Sequence, residues 1–121
     1  MALSDQDFDL LAAAKEPLIE TRSGERVYET VIWVAASTDT LFVRSFRGDS
    51  GRWYQRAVSN PGVALIVGDV RVEFQAIAAT DDESIHLASE GFLSKYQKGS
   101  SLDGMVHAGV LHTTLRLDPT L

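Results

Sequence analysis

The chain has no cysteine, only three histidines and only three prolines among its 121 residues. Without thiols there can be no disulfide, no thiolate nucleophile and no cysteine-ligated metal, a composition that suits a reducing cytoplasm. His86, His107 and His112 are not paired at i, i+4 on any predicted helix, so no metal site is expected. No apolar run approaches the roughly 20 residues of a membrane span. The first ten residues are acidic and lack the basic start and apolar core of a secretory signal. Bases are outnumbered, 11 against 17 acids, for a net charge of −6. That balance argues against nucleic-acid binding, which needs a broad basic surface. No serine stands in a Gly-x-Ser-x-Gly elbow, and Gly48-x-x-Gly51 matches neither the phosphate loop nor the dinucleotide fingerprint. The expectation is one domain spanning residues 1–121, cytoplasmic and metal-free, with neither a nucleic-acid nor a membrane partner.

Against this acidic background stands one positive stretch, from Thr40 to Gly62. It sets Arg44, Arg47, Arg52 and Arg56 against a single acid, Asp49. Gly48, Ser50 and Gly51 lie between a predicted strand and a predicted short helix, where backbone N–H groups and guanidinium forks can meet a phosphate. Adding Arg22, Arg26 and Arg71, seven of the eleven basic residues fall between positions 22 and 71. All seven are arginine, the residue suited to planar, bidentate phosphate contacts. The competing explanation pairs them with Glu20, Glu25, Glu29, Asp49, Asp69 and Glu73 on solvated sheet faces.

The periodicity predicts a helix capped by Ser4, with Phe8, Leu11 and Ala12 as its buried stripe, stopped by Pro17. A hairpin follows: Leu18 to Arg22, a turn at Ser23-Gly24-Glu25, and a long return strand from Val27 to Ala36. Both faces of that strand are apolar near Ile32-Trp33-Val34, which indicates burial on two sides, in a barrel or at a dimer interface. A third strand runs from Leu41 to Ser45. A helix from Gly51 to Ser59, capped by Ser50, faces the core with Trp53, Ala57 and Val58. Strands are predicted at Val63 to Val67 and Arg71 to Ala79, then a helix from Asp82 to Tyr96 with Ile85, Ala88, Ser89 and Phe92 inward. Gln97 to Gly104 reads as a mobile loop, and Leu111 to Leu117 as the closing strand. Six short strands in so small a chain favour a closed or half-closed barrel, which manages sheet edges.

Four segments in this order resemble the core of the split-barrel flavoproteins: Glu29 to Val34, Leu41 to Ser45, Gly51 to Arg56 and Asn60 to Gly68. These are the pyridoxamine-phosphate-oxidase-like proteins and their deazaflavin-dependent relatives. Thr21-Arg22-Ser23-Gly24 resembles the hairpin of those relatives, and Trp53-Tyr54 before Asn60-Pro61 their Trp-Tyr helix. Phe8 to Leu11 and Thr114 to Leu117 are similar to the two ends of a bacterial branch that is itself a domain family of unknown function. The resemblance spans nearly the whole chain.

It implies a mainly β fold, a six-stranded antiparallel split barrel of FMN-binding type with flanking helices. It also implies a homodimer holding FMN or a deazaflavin between subunits, acting as an oxidoreductase on an unidentified small molecule. Carried over by position, Thr30 and Trp33 would lie beside the ring or ribityl chain. Arg44, Ser45, Arg47, Ser50 and Arg52 would approach the phosphate. The redox chemistry would be the cofactor's, so no catalytic dyad is required. One departure is that the phosphate loop offers only arginines where flavin-binding members commonly carry a lysine. Two other functions are compatible with the same barrel: a cofactor-free protein binding an anionic small molecule at Arg44, Arg47 and Arg52, or a structural homodimer with intersubunit arginine pairs.

Overall fold

The computed structural model describes residues 3–120. The first helix, α1 (Asp5–Ala13), begins where Ser4 Oγ accepts the Asp7 N–H at 3.1 Å. Leu11 is fully buried, and Phe8 and Ala12 pack beside it on the core. Strands β1 (Leu18–Ser23) and β2 (Arg26–Val31) form the expected hairpin, turned at Gly24, whose φ of 60° favours glycine.

The predicted long strand from Val27 to Ala36 is a correction. Pairing breaks at Ile32-Trp33, and a separate strand β3 (Val34–Ser37) begins after it. It pairs with β4 (Thr40–Val43), and α2 (Arg52–Ser59), β5 (Gly62–Val67) and β6 (Val70–Ala78) follow. Helix α3 (Asp82–Lys95) starts on an Asp81 cap, whose carboxylate accepts the Ser84 N–H at 3.0 Å and is held below its ordinary pKa by it. Strand β7 (Leu115–Pro119) is last.

The sheet therefore has seven strands, one more than expected, in the order β2-β1-β5-β6-β7-β4-β3, every pair antiparallel. Its two edge strands, β2 and β3, are consecutive in the chain and joined only by Ile32 and Trp33. Laid flat, seven strands would put those edges roughly 29 Å apart, whereas the three-residue step from Val31 to Val34 reaches about 10 Å. The sheet must curl into an open barrel, and Ile32-Trp33 bridges its seam. This accounts for the two-sided apolar pattern at that point. The Ile32 N–H leaves the ladder to bond the Pro17 carbonyl at 3.0 Å.

Alternation sorts the core into two layers. Ile19, Val34, Leu41, Val43, Leu65 and Phe74 point into the barrel with Leu11, Trp53 and Ala57. Ala35 and Phe42 point outward against Ala88, Phe92 and Tyr96 of the α3 region and Leu102 and Met105. Helix α3 lies so close to β3 that a Cβ on Gly91 would sit 2.9 Å from Ala35 Cβ and 3.0 Å from the Ala36 carbonyl.

Three further expectations change. The segment read as a loop contains α4 (Ser100–Met105), which buries Leu102 and Met105. The strand expected from Leu111 starts only at Leu115, because a 3₁₀ turn (Ala108–Thr113) precedes it. Thr113 and Thr114 hydroxyls donate to the Val110 and Leu111 carbonyls and favour that turn. Helix α2 is capped by Gly51 rather than Ser50, and Val58 is exposed.

Candidate functional site

The barrel seam opens onto a cleft of about 240 Å³ whose walls include Val31, Ile32 and Trp33 of the seam, Phe46, Trp53 of α2 and Met105 of α4. Both tryptophans of the chain therefore line it. The Trp33 indole is stacked on Tyr96, ring centroids 3.9 Å apart and planes 4° from parallel. Tyr96 is fixed in turn: its hydroxyl accepts the Val34 N–H at 3.1 Å and donates to the Lys15 carbonyl at 2.7 Å. Burial pushes the phenol up to about 12, so it stays protonated across the physiological range. Lys95 donates to the Val34 carbonyl at 2.8 Å, and burial, with Lys15 nearby, lowers its ammonium to about 8. The aromatic wall is thus anchored to the first residue of β3.

Behind the cleft lies Arg44, the largest fully buried side chain of the described residues. Its Nε donates to Thr114 Oγ1 at 2.7 Å, Nη1 to Ser89 Oγ at 2.9 Å and to the Met105 carbonyl at 3.3 Å, and Nη2 to the Ile85 carbonyl at 2.9 Å. Every partner is neutral. Desolvation lowers the guanidinium to about 10, which leaves it charged at neutral pH.

On the other side of the α2 start lies a wider groove of about 520 Å³, lined by Arg22, Ser23, Tyr28, Arg52, Gln55, Arg56 and Asn60, with no carboxylate. Arg52 and Arg56 share one helix face at i, i+4 spacing, as the sequence indicates. Arg56 Nε donates to Thr21 Oγ1 at 2.8 Å, and its guanidinium sits 4.0 Å from the Tyr28 ring centroid, holding its fork rigid. Among the described residues only Arg22 and Arg71 of the seven clustered arginines meet an acid. Arg71 reaches Glu20 at 2.7 Å and Glu73 at 3.1 Å, and Arg22 reaches Glu20 at 3.5 Å. The Arg71 hydrogen bond is the main reason that Glu20 is held below its ordinary pKa. Solvated ion pairing thus accounts for two of the seven and leaves Arg26, Arg44, Arg47, Arg52 and Arg56 without an acid within 4.0 Å among the described residues.

Of the residues singled out from sequence, Trp33 and Arg44 line the cleft and Arg52 the groove, while Thr30, Ser45, Arg47 and Ser50 line neither. Thr30 is half-buried on β2, and Arg47 and Ser50 are exposed. The loop from Ser45 to Gly51 spends its polar groups on itself. Gly48 N–H bonds the Ser45 carbonyl at 2.9 Å, and Ser45 Oγ and Gly51 N–H both donate to the Gly48 carbonyl, at 2.7 and 3.2 Å. His112 Nε2 lies 2.7 Å from Asp49 Oδ1 and ties this loop to the turn before β7. Sequence reasoning missed Val31, Phe46, Trp53 and Met105 as cleft residues. Trp53 was read as core, and Met105 reaches the site only through α4.

Comparisons with known proteins agree on the architecture. The haem storage protein HutZ of Vibrio cholerae superposes with a TM-score of 0.70 at 14% identity, over 100% of this chain and 92% of that one. An FAD-binding protein of Mycobacterium smegmatis gives 0.63 at 16%, over 100% and 93%. An F420 reductase gives 0.55 at 16%, over 98% and 97%. At such identities the likeness establishes the fold, that of pyridoxamine-phosphate-oxidase-like split barrels. No protein of curated function matches the sequence. Residues 7–117 match a family described as uncharacterized proteins conserved in bacteria, DUF2255, and to that family this chain belongs.

Proposed function

We propose that this protein is a split-barrel oxidoreductase that binds a flavin-type cofactor, FMN or a deazaflavin, and acts on a small molecule. One observation carries the reading: an aromatic cleft at the seam adjoins an acid-free arginine groove across the start of α2. Arg52 and Trp53 are consecutive, and Tyr28 and Val31 are three residues apart on β2, about 10 Å along a strand. A planar ring against Trp33, Trp53 and Met105 would leave its phosphate-bearing tail facing Arg52, Arg56 and Arg22. Thr30, on β2 between Tyr28 and Val31, would border the linking chain. When bound, such a cofactor supplies hydride transfer; the chain's residues hold the ring, pair the phosphate and exclude water.

The cleft is smaller than the roughly 300–1,000 Å³ of a complete small-molecule site. Its rim carries Val31 and Phe46, and β2 carries Val27, each about half exposed (55%, 54% and 49%). A second copy of the chain laid across β2 would cover these residues and complete the site, hence a homodimer.

The test is a titration of purified protein with FMN, riboflavin and a deazaflavin. FMN is expected to bind about tenfold or more tighter than riboflavin, an advantage that added salt and the Arg52→Ala, Arg56→Ala double variant remove. Protein that ignores every ring compound refutes the reading. A second reading, a cofactor-free barrel binding an anion, draws on the groove alone. It is favoured if inorganic pyrophosphate binds and no ring compound does.

A further inference from the structure

Arg44 is a full charge placed where a fold would ordinarily place a hydrophobe. It anchors α3, α4 and the chain before β7 to the end of β4, yet two hydroxyls and two carbonyls would serve an uncharged donor as well. Among the described residues its surroundings are neutral from every side. Helix α3 turns Ile85, Ser89 and the Phe92 ring toward it, the ring centroid 5.5 Å from the guanidinium carbon, while His86 and Glu90 are exposed. From α4 comes the Met105 carbonyl, with Asp103 exposed; the segment before β7 supplies Thr114, with His112 exposed and paired to Asp49. The one carboxylate on the cleft wall is Glu16, and it is exposed.

We infer that Arg44 is an unneutralised positive charge at the inner wall of the seam cleft, and that the cleft takes its ring ligand as an anion. A buried charge without a counter-ion is offset by whatever negative charge enters the low-dielectric space beside it. An acidic ring such as 8-hydroxy-5-deazaflavin, whose hydroxyl ionises near neutrality, meets that requirement; the neutral oxidised isoalloxazine does not. This rests on the ring-in-cleft reading proposed above and selects between its two cofactors.

The experiment uses phosphate-free probes, 8-hydroxy-5-deazariboflavin and riboflavin, with the full chain between pH 5 and 8. The absorption spectrum of the bound deazaflavin reports its own ionisation. Its hydroxyl is expected to ionise at least one pH unit lower when bound than when free, equivalent to about tenfold preference for the anion. Riboflavin should bind about tenfold or more weaker. Arg44→Lys should keep the shift and Arg44→Met abolish it. Should Arg44→Met fail to fold, the wild-type shift decides, and Glu16→Gln should enlarge it. Binding with an unshifted or raised ionisation, or riboflavin bound as tightly, overturns the inference and leaves the ring-in-cleft reading standing. Absence of binding by either probe overturns both.

Discussion

Tyr96→Phe isolates one hydrogen-bonded clasp beneath the aromatic wall. The substitution keeps a ring to stack on Trp33 and removes only the hydroxyl shared by the Val34 N–H and the Lys15 carbonyl. Val34 is fully buried, so its N–H is left without a partner, at about 1–3 kcal/mol. Lys15 is exposed, and its carbonyl can turn to water at little cost. The expected loss is about 2 kcal/mol, or about 8 °C in Tm for a chain of this size. Tyr96→Leu should lose about 1 kcal/mol more, because the stack goes as well. Urea and thermal unfolding, followed by circular dichroism, measure both. A Tyr96→Phe protein within about 0.5 kcal/mol of the parent would refute the reasoning, since that is the scatter of an ordinary surface change.

Gly91→Ala should cost about 1–3 kcal/mol, because its Cβ would press on Ala35 and the backbone of Ala36; urea unfolding reads it. The lowered Lys95 ammonium gives a pH signature. Between about 8 and its ordinary 10.5 the unfolded chain holds the proton that the folded chain has released, so stability rises with pH through that window. Below it, both states are protonated and the burial cost is complete. The rise, reduced by partial exposure to no more than about 2 kcal/mol, should be missing from Lys95→Met in unfolding curves at pH 7 and pH 10. Ala in place of the Asp81 cap should lower the urea midpoint, because the Ser84 N–H loses its acceptor at the start of α3.

Local signals were the legible ones. The Ser4 cap, the Gly24 turn, the apolar run of β4 and the alternation along β6 are written in short windows, and those elements stand within two residues of where the pattern puts them. Distant pairing was not legible. Val27 to Ala36 reads as one strand because no turn residue interrupts it, whereas β2 and β3 are set apart by which neighbours they find at opposite edges of the sheet. The α4 segment has Ser, Ser, Asp and Gly at four of its six positions, all weak helix formers, and tertiary burial of Leu102 and Met105 is what a window cannot see. The site divides the same way. Arg52 and Arg56 declare their shared face through spacing, but the inward course of Arg44 depends on Ile85, Ser89 and Thr114, 41 to 70 positions away.

The seam cleft holds both tryptophans, so a ring bound there must report itself in their emission. The decisive measurement is a titration of the protein with flavin or deazaflavin, following tryptophan fluorescence and ligand polarisation together. The account expects emission to be quenched nearly to completion in step with binding, with Trp33→Phe and Trp53→Phe each retaining quenching of the tryptophan that remains. Ligand that binds while both tryptophans emit undiminished would place the ring elsewhere and contradict the account.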